Sequence, residues 1–408
     1  MALDHHPSRA RVLGELHARP FTPMQTGLRV LHFAFQVTPE QAQADRRNIE
    51  QLAANEGLSA QDLNKRHLVL QDGRIRWERH GEFVTYTIRV PVGELAAWPA
   101  DIAAMGLLVV AVDLSLIGDA DGQPRLVDTR IVNGDARIAS DFIPNAAEFV
   151  EIVVVNQGMN TEVAGATVQR ILELETYRCF ALLGLPVAET EIEAMNHIEG
   201  RLPNLIEDMS GAVSLSDNRA LLDQLMVMTV ELERTSAATH FRFGATRAYA
   251  ELVRLRLNAL AEQVVPGTQG LAAFFARRFD PAIRTCATVS EREGILAGKL
   301  TRAAQLLRTR VEIGLQSQNH AVLEGMARRA QLQLRLQHTV EGLSIAAVAY
   351  YVVNLLHLFL GGMKEYLHGL DAEMVTALAV PLIVLGVAVA IRQIRKHHLD
   401  TETIGTVQ

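Results

Sequence analysis

Cysteine is almost missing from this chain. Only Cys179 and Cys286 occur in 408 residues, far apart and in no CxxC or Cys/His metal spacing. A disulfide-stapled secreted scaffold is thereby excluded, and two reduced, buried thiols in a cytoplasmic setting are expected. Aromatics are scarce too, at 5% of residues against 49% hydrophobic, so the core is built mainly from Leu, Val and Ala. Positive charge is not in excess: 39 Lys and Arg stand against 46 Asp and Glu, a net charge of -7. Nucleic-acid-binding surfaces carry net basic charge, so no nucleic-acid partner is expected. The opening stretch MALDHHPSRARVLGELHARPF has no apolar h-region, and no secretory signal peptide is expected from it. Walker A, G-x-S-x-G, H-E-x-x-H and G-x-G-x-x-G motifs are all missing. The expectation is therefore a protein that is not an enzyme and holds no cofactor.

What the chain does have is two long uncharged runs near its end. Residues 343–363, LSIAAVAYYVVNLLHLFLGGM, contain no Asp, Glu, Lys or Arg, and neither do residues 374–391, MVTALAVPLIVLGVAVAI. As helices they span about 31 Å and about 27 Å, enough to cross a bilayer core. Arg328, Arg329 and Arg335 precede the first run, and Arg392, Arg395 and Lys396 follow the second. The intervening loop, 364–373, carries Glu365, Asp371 and Glu373 against one lysine. The positive-inside rule then predicts a transmembrane hairpin with both chain ends in the cytoplasm and an acidic loop outside.

The first run is not uniformly greasy. Tyr350, Asn354, His357 and Gly361 are spaced by four, three and four residues, with Gly362 adjacent, and Leu343 and Ala347 continue the line. They form one helical stripe, and a polar stripe should not face lipid. It either packs against another helix or lines a water-filled path. Two helices offer it little shelter, so both readings imply a homo-oligomer.

Ahead of the hairpin, the pattern divides. Residues 1–27 read as an N-terminal helical segment. Residues 28–160 read as an α/β domain: LRVLHFAFQV as a strand, PEQAQADRRNIEQLAANEG as a helix closed by Gly57, then short runs rich in Val, Ile, Thr and Tyr broken at Asp72-Gly73 and His80-Gly81. Strands outnumber helices, which predicts a mixed or antiparallel sheet with helices on one side. Residues 161–342 read as a helical bundle or stalk. A break is expected at Gly184 and Pro186, a helix stop at Pro281, and one long helix over 290–342 that enters the membrane. Leu300, Leu307, Val311, Leu315, Val322 and Met326 mark a packed stripe on it, with coiled-coil spacing. Residues 392–408 read as a basic cytoplasmic tail. The fold class is thus an α+β membrane protein.

Other charged motifs admit two readings each. His17 and Arg19 in LHARPF read as a short helix ended by proline, or as an anion contact. In RWERHGEF (76–83), Trp77, Arg79 and Gly81 share one strand face, and Glu78 and His80 the other. That second face reads as solvated, or as two ligands of a metal. Arg308 and Arg310 beside Glu312 read as a solvated helix face, or as contacts to anionic lipid.

Six stretches together, ELHARPF (15–21), RWERHGEF (76–83), QRILELETYRCFALLGLP (169–186), FRFGATRAYAELV (241–253), TVEGLSIAAVAYYVV (339–353) and KHH (396–398), resemble a family of uncharacterised, membrane-anchored bacterial proteins, a domain-of-unknown-function family. The resemblance covers nearly the whole chain. It implies a multi-pass protein of the bacterial inner membrane and supplies no catalytic residues. The layout also resembles the CorA-type metal-ion transporters, with their cytoplasmic α/β domain, long helix, two C-terminal membrane helices and basic tail. That family ends its first membrane helix in Gly-Met-Asn. This chain has Gly362, Met363 and then Lys364, a positive charge where the family has a neutral amide.

The leading functional expectation is a homo-oligomeric inner-membrane scaffold or sensor, its partners the lipid bilayer and further copies of itself. The alternative is a CorA-like ion channel or metal-ion transporter for a divalent cation. Tyr350, Asn354 and His357 would then line the path, and Glu365, Asp371 and Glu373 would collect cations outside. A membrane-tethered enzyme is the third reading, favoured if LHARPF and RWERHGEF meet in one cleft.

Overall fold

Residues 28–36, LRVLHFAFQ, are apolar on both strand faces, the pattern of a strand covered on both sides. In the computed structural model they form strand β1 (Leu28–Gln36), buried from Val30 to Phe35. The structure describes residues 21–55, 57, 60–64, 67–70, 74–94, 106–118, 125–362 and 372–402. Residues 1–20, most of the expected N-terminal helical segment, lie outside these, and 21–27 are irregular backbone.

After β1 come helix α1 (Pro39–Asn55), strands β2 (Ala60–Asn64), β3 (His67–Leu70), β4 (Ile75–Arg79), β5 (Phe83–Pro91), β6 (Leu107–Ile117), β7 (Val127–Ile131), β8 (Ala136–Pro144) and β9 (Val150–Asn156). Among the described residues they make one nine-stranded sheet of order β2-β3-β4-β5-β1-β6-β9-β8-β7. β1 pairs antiparallel with β5 and β6, while β6 and β9 run parallel. The sheet is mixed, as its strand-rich pattern predicts. β3 and β4 pair antiparallel across the Asp72-Gly73 break, which itself lies outside the described residues.

Helices cover both faces of the sheet, not one. On one face Leu31, Phe33, Phe35, Trp77 and Tyr86 pack against Ala42, Ile49 and Ala53 of α1. On the other, Val30, Ala34, Phe83 and Val112 pack against the helices that follow β9. A single helix between β1 and β2 hid this arrangement: α1 is short of apolar residues, and its buried Asp45 accepts from Trp77 Nε1 (2.8 Å) and Tyr86 Oη (2.6 Å).

Those later helices are α2 (Thr161–Leu182), α3 (Gly184–Gly211), α4 (Leu215–Ala259), α5 (Leu271–Gly362) and α6 (Ala372–Glu402). Asn160 caps α2 by accepting from the Val163 amide. The expected break falls at Leu183, but α3 restarts at once, with Pro186 in its first turn, where proline leaves little unsatisfied. The aromatic rings of Phe83 and Phe180 stack at 4.3 Å and fix α2 to the sheet. Ala188, Met195, Leu202, Leu225, Met228, Leu296 and Leu300 form a second core among α3, α4 and α5.

Pro281 does not stop its helix; α5 continues through it. One proline removes one backbone donor, and the surrounding turns with their packed Phe279, Ile283 and Val289 hold the remainder. The chain divides into two compact units, Met1–Leu307 and Arg308–Gln408. The stripe on α5 changes character there: Leu300 and Leu307 are buried, whereas Leu315, Val322 and Met326 are exposed. α5 and α6 each contain a window long and apolar enough to cross a membrane, with mean hydropathy 1.9 and 2.7. α6 runs on to Glu402, so much of the expected tail is helical.

Candidate functional site

The predicted hairpin stripe lies within the second unit. Within the apolar run of α5 the covered positions are Ile345, Ala349, Val353, Leu356 and Leu360, and those of α6 include Val375, Thr376, Ala379, Ile383 and Val387. His357 Nδ1 and Thr376 Oγ1, 3.4 Å apart, join the two helices. Tyr350, Asn354, His357, Gly361 and Gly362 are all exposed. The helix pair thus closes through a mainly apolar face, with His357 reaching Thr376 at its edge, and leaves Tyr350, Asn354, Gly361 and Gly362 outside it. Glu365 and Asp371 of the acidic loop lie outside the described residues, and Glu373 sits exposed in the first turn of α6. Arg308 and Arg310 are exposed on α5.

A second site appears in the first unit, and only part of it was legible as a motif. Cross-strand pairing aligns Arg76, Thr87 and His32 in one row over β4, β5 and β1. Side chains alternate along strands, so Glu78 and Arg89 share that face. Opposite them, Gly165, Gln169, Leu172 and Glu173 follow one face of α2. With Thr22 and Met24 they line a cavity of about 40 Å³. The Thr22–Met24 segment crosses α2 at Gly165, where an added Cβ would lie 2.1 Å from the Thr22 carbonyl oxygen, and Met24 N donates to the Thr161 carbonyl at 2.9 Å. Glycine is required for that crossing.

The site's polar groups are placed by their partners. Thr176 Oγ1 donates to the Leu172 carbonyl at 2.8 Å, so it accepts from His32 Nε2 at 3.0 Å. His32 Nδ1 must then accept from the Thr87 hydroxyl at 2.9 Å. Burial of the ring, only partly countered by the Glu78 charge, lowers the His32 pKa to about 4, so it is neutral at physiological pH. Glu78 Oε1 has His67 Nε2 at 3.3 Å and Arg76 Nε at 3.5 Å. Burial would raise the Glu78 pKa, but the His67 hydrogen bond and the Arg76 charge outweigh it and hold the carboxyl down at about 2. The expectation of a solvated Glu78 face is therefore overturned: α2 covers the strands there, and Glu78 is an ionised, largely buried, partnered carboxylate.

RWERHGEF does divide as its alternation predicts, with Trp77 fully buried on the α1 side and Glu78 on the α2 side. His80 stacks on Phe83 at 4.2 Å. Among the described residues no group of three or more His, Cys, Asp or Glu is arranged to hold a metal. His17 and Arg19 lie outside the described residues, so their meeting with RWERHGEF is not part of this geometry. Sequence reading missed His32, Arg89, Gly165, Gln169 and Glu173. Two signals were available: a histidine in the middle of an apolar strand, and an isolated glycine inside a helical pattern.

The family model described as "Protein of unknown function (DUF3422)" matches residues 4–398. The chain belongs to this family. The match spans the sheet, the helical bundle and both apolar helices. No curated protein matches the chain.

Proposed function

We propose that this family member is a homo-oligomeric scaffold or sensor of the bacterial inner membrane, held by its C-terminal hairpin with both chain ends in the cytoplasm. The observation that carries the reading is the exposed polar stripe. In each apolar window only 6% of the residues are buried, unlike the core helix of a soluble protein. In hydrocarbon, Asn354 on an open face is costly, and a second copy removes that cost by hydrogen bonding across small residues such as Gly361.

The stripe also extends below the membrane window. Every seventh residue from Leu315 gives Val322, Arg329, Leu336, Leu343, Tyr350 and His357, all exposed. A companion line runs Met326, Gln333, Val340, Ala347, Asn354 and Gly361. Both are mainly apolar where the helix meets water and turn polar or small where it meets lipid. Each half is thus mismatched to its own surroundings and matched to another copy. A straight helix drifts about 20° per heptad from such a line, so a left-handed supercoil keeps it facing the partner.

Light scattering of the full chain in detergent and in nanodiscs tests this. A defined oligomer is expected, weakened when Asn354→Leu and Gly361→Leu are combined. A monomer in both media overturns the reading. Saturable ion flux through liposome-embedded oligomers would favour the transporter alternative.

A further inference from the structure

The charges around the α2–sheet cavity do not cancel. Glu78 is matched by Arg76 and His67. Glu173 accepts from Arg256 Nε at 2.5 Å and from Gln169 Nε2 at 3.0 Å. Arg89, half-buried at the cavity wall, has no acceptor for its guanidinium among the described residues; its main-chain N–H alone is engaged, with the Arg74 carbonyl at 2.8 Å. Burial and then the neighbouring Arg76 charge lower its pKa, yet an arginine stays protonated. One planar fork of donors, carrying one unbalanced positive charge, therefore faces the cavity.

Two residues with unfilled acceptors border the same space. Gln169 gives one of its two amide N–H groups to Glu173, which fixes the orientation of its amide, and its Oε1 is buried with no hydrogen-bond donor. Thr87 spends its hydroxyl proton on His32, so towards the cavity it offers only lone pairs. A fully deprotonated anion satisfies Arg89 but faces the Gln169 and Thr87 oxygens with no proton between. A neutral molecule leaves Arg89 unmatched. The complement is an anion that carries its own O–H.

We propose that this cavity is a binding site for a small protonated oxyanion of the hydrogen phosphate or bicarbonate class, with Arg89 gripping the charged oxygens and Gln169 Oε1 and Thr87 Oγ1 accepting from the anion's hydroxyl. The volume agrees: about 40 Å³ holds about three water molecules, the bulk of one such ion. Arginine's fork matches a two-oxygen edge in either ion. The site supplies the sensor half of the proposed function with a ligand and leans on that reading for its role, not for its occupancy.

The test is calorimetric titration of the full chain in detergent at neutral pH with inorganic phosphate, bicarbonate and sulfate. Saturable binding of phosphate or bicarbonate is expected, at least tenfold tighter than sulfate, which carries no proton there. The arm that binds tighter identifies which of the two ions the site takes. Arg89→Gln is expected to weaken it tenfold or more, and Arg89→Lys less. Gln169→Glu places a third carboxylate beside Glu78 and Glu173 and is expected to weaken binding equally and to lower the thermal midpoint by repulsion from Glu173, so a native circular-dichroism spectrum of the ligand-free variant at the assay temperature separates loss of the site from loss of the fold. No saturable binding of either ion, sulfate binding as tightly, or an unchanged affinity in Arg89→Gln overturns the proposal. Because binding is read directly, failure here leaves the oligomer reading untouched, and a monomeric chain that binds leaves this one intact.

Discussion

Arg242 and Glu82, 160 residues apart in sequence, form a two-pronged ion pair, Nη1 to Oε2 at 2.8 Å and Nη2 to Oε1 at 2.7 Å. Each side chain is only 10% exposed. The pair ties α4 to the β4–β5 turn, and it joins RWERHGEF to FRFGATRAY, two motifs with no evident chemistry of their own. Removing one partner strands a buried charge, so Glu82→Ala is expected to cost about 3–5 kcal/mol. Replacing both, as Glu82→Ala with Arg242→Met, is expected to restore part of that loss. Thermal unfolding of the four variants as a double-mutant cycle measures it, and a Glu82→Ala midpoint equal to wild type refutes it.

His32 makes the fold sensitive to mild acid. Its folded-state pKa is lowered to about 4, and in the unfolded chain it returns to about 6.5. Between those values the unfolded chain binds the extra proton, so stability is intact above about pH 6.5 and falls as the pH drops toward 4. From pH 7 to pH 5 this one group removes about 2 kcal/mol. His32→Gln is expected to flatten that slope while lowering stability at pH 7. Unfolding midpoints taken across the range decide it: a variant with the wild-type slope places the acid sensitivity elsewhere.

Gly165→Ala tests the cavity wall. Its Cβ would sit 2.1 Å from a main-chain oxygen, where no side-chain rotation relieves the clash. The Thr22–Met24 segment must move off α2, at a cost of about 1–3 kcal/mol. Hydrogen exchange should rise at Met24, whose amide now donates to Thr161. Unchanged protection there would show that the crossing is looser than described.

The architecture was readable because its signals are local and repeated. Alternating β-branched residues mark β4 to β9, and two uncharged runs mark the apolar helices. Pairing across distance was not readable. Nothing in AMGLLVVAVDLSLIG says that β6 pairs parallel with β9. Nothing in TIRV says that Arg89 lacks an acid. Pro281 misled because proline's local preference is outweighed by packing on either side of it. The polar stripe was visible as spacing alone, but which helix face α6 covers depends on three-dimensional contact, and α6 covers the other one, meeting the stripe only at His357.

Both thiols should be inert, which opens a route to the oligomer interface. Burial and then the Glu175 charge push the Cys179 thiol up to about 12, and burial raises Cys286 as well. Thiolate is the reactive form, so neither should be alkylated by iodoacetamide in the folded chain, only after denaturation. Mass spectrometry of the native protein checks this first. New single cysteines then report proximity without altering the native pair. Leu336→Cys and Tyr350→Cys lie on the heptad line and should cross-link between chains under mild oxidation. Val353→Cys lies on the side turned to α6 and should not. Equal cross-linking at Val353 and Tyr350 would mean that the chains meet through some other face than the stripe.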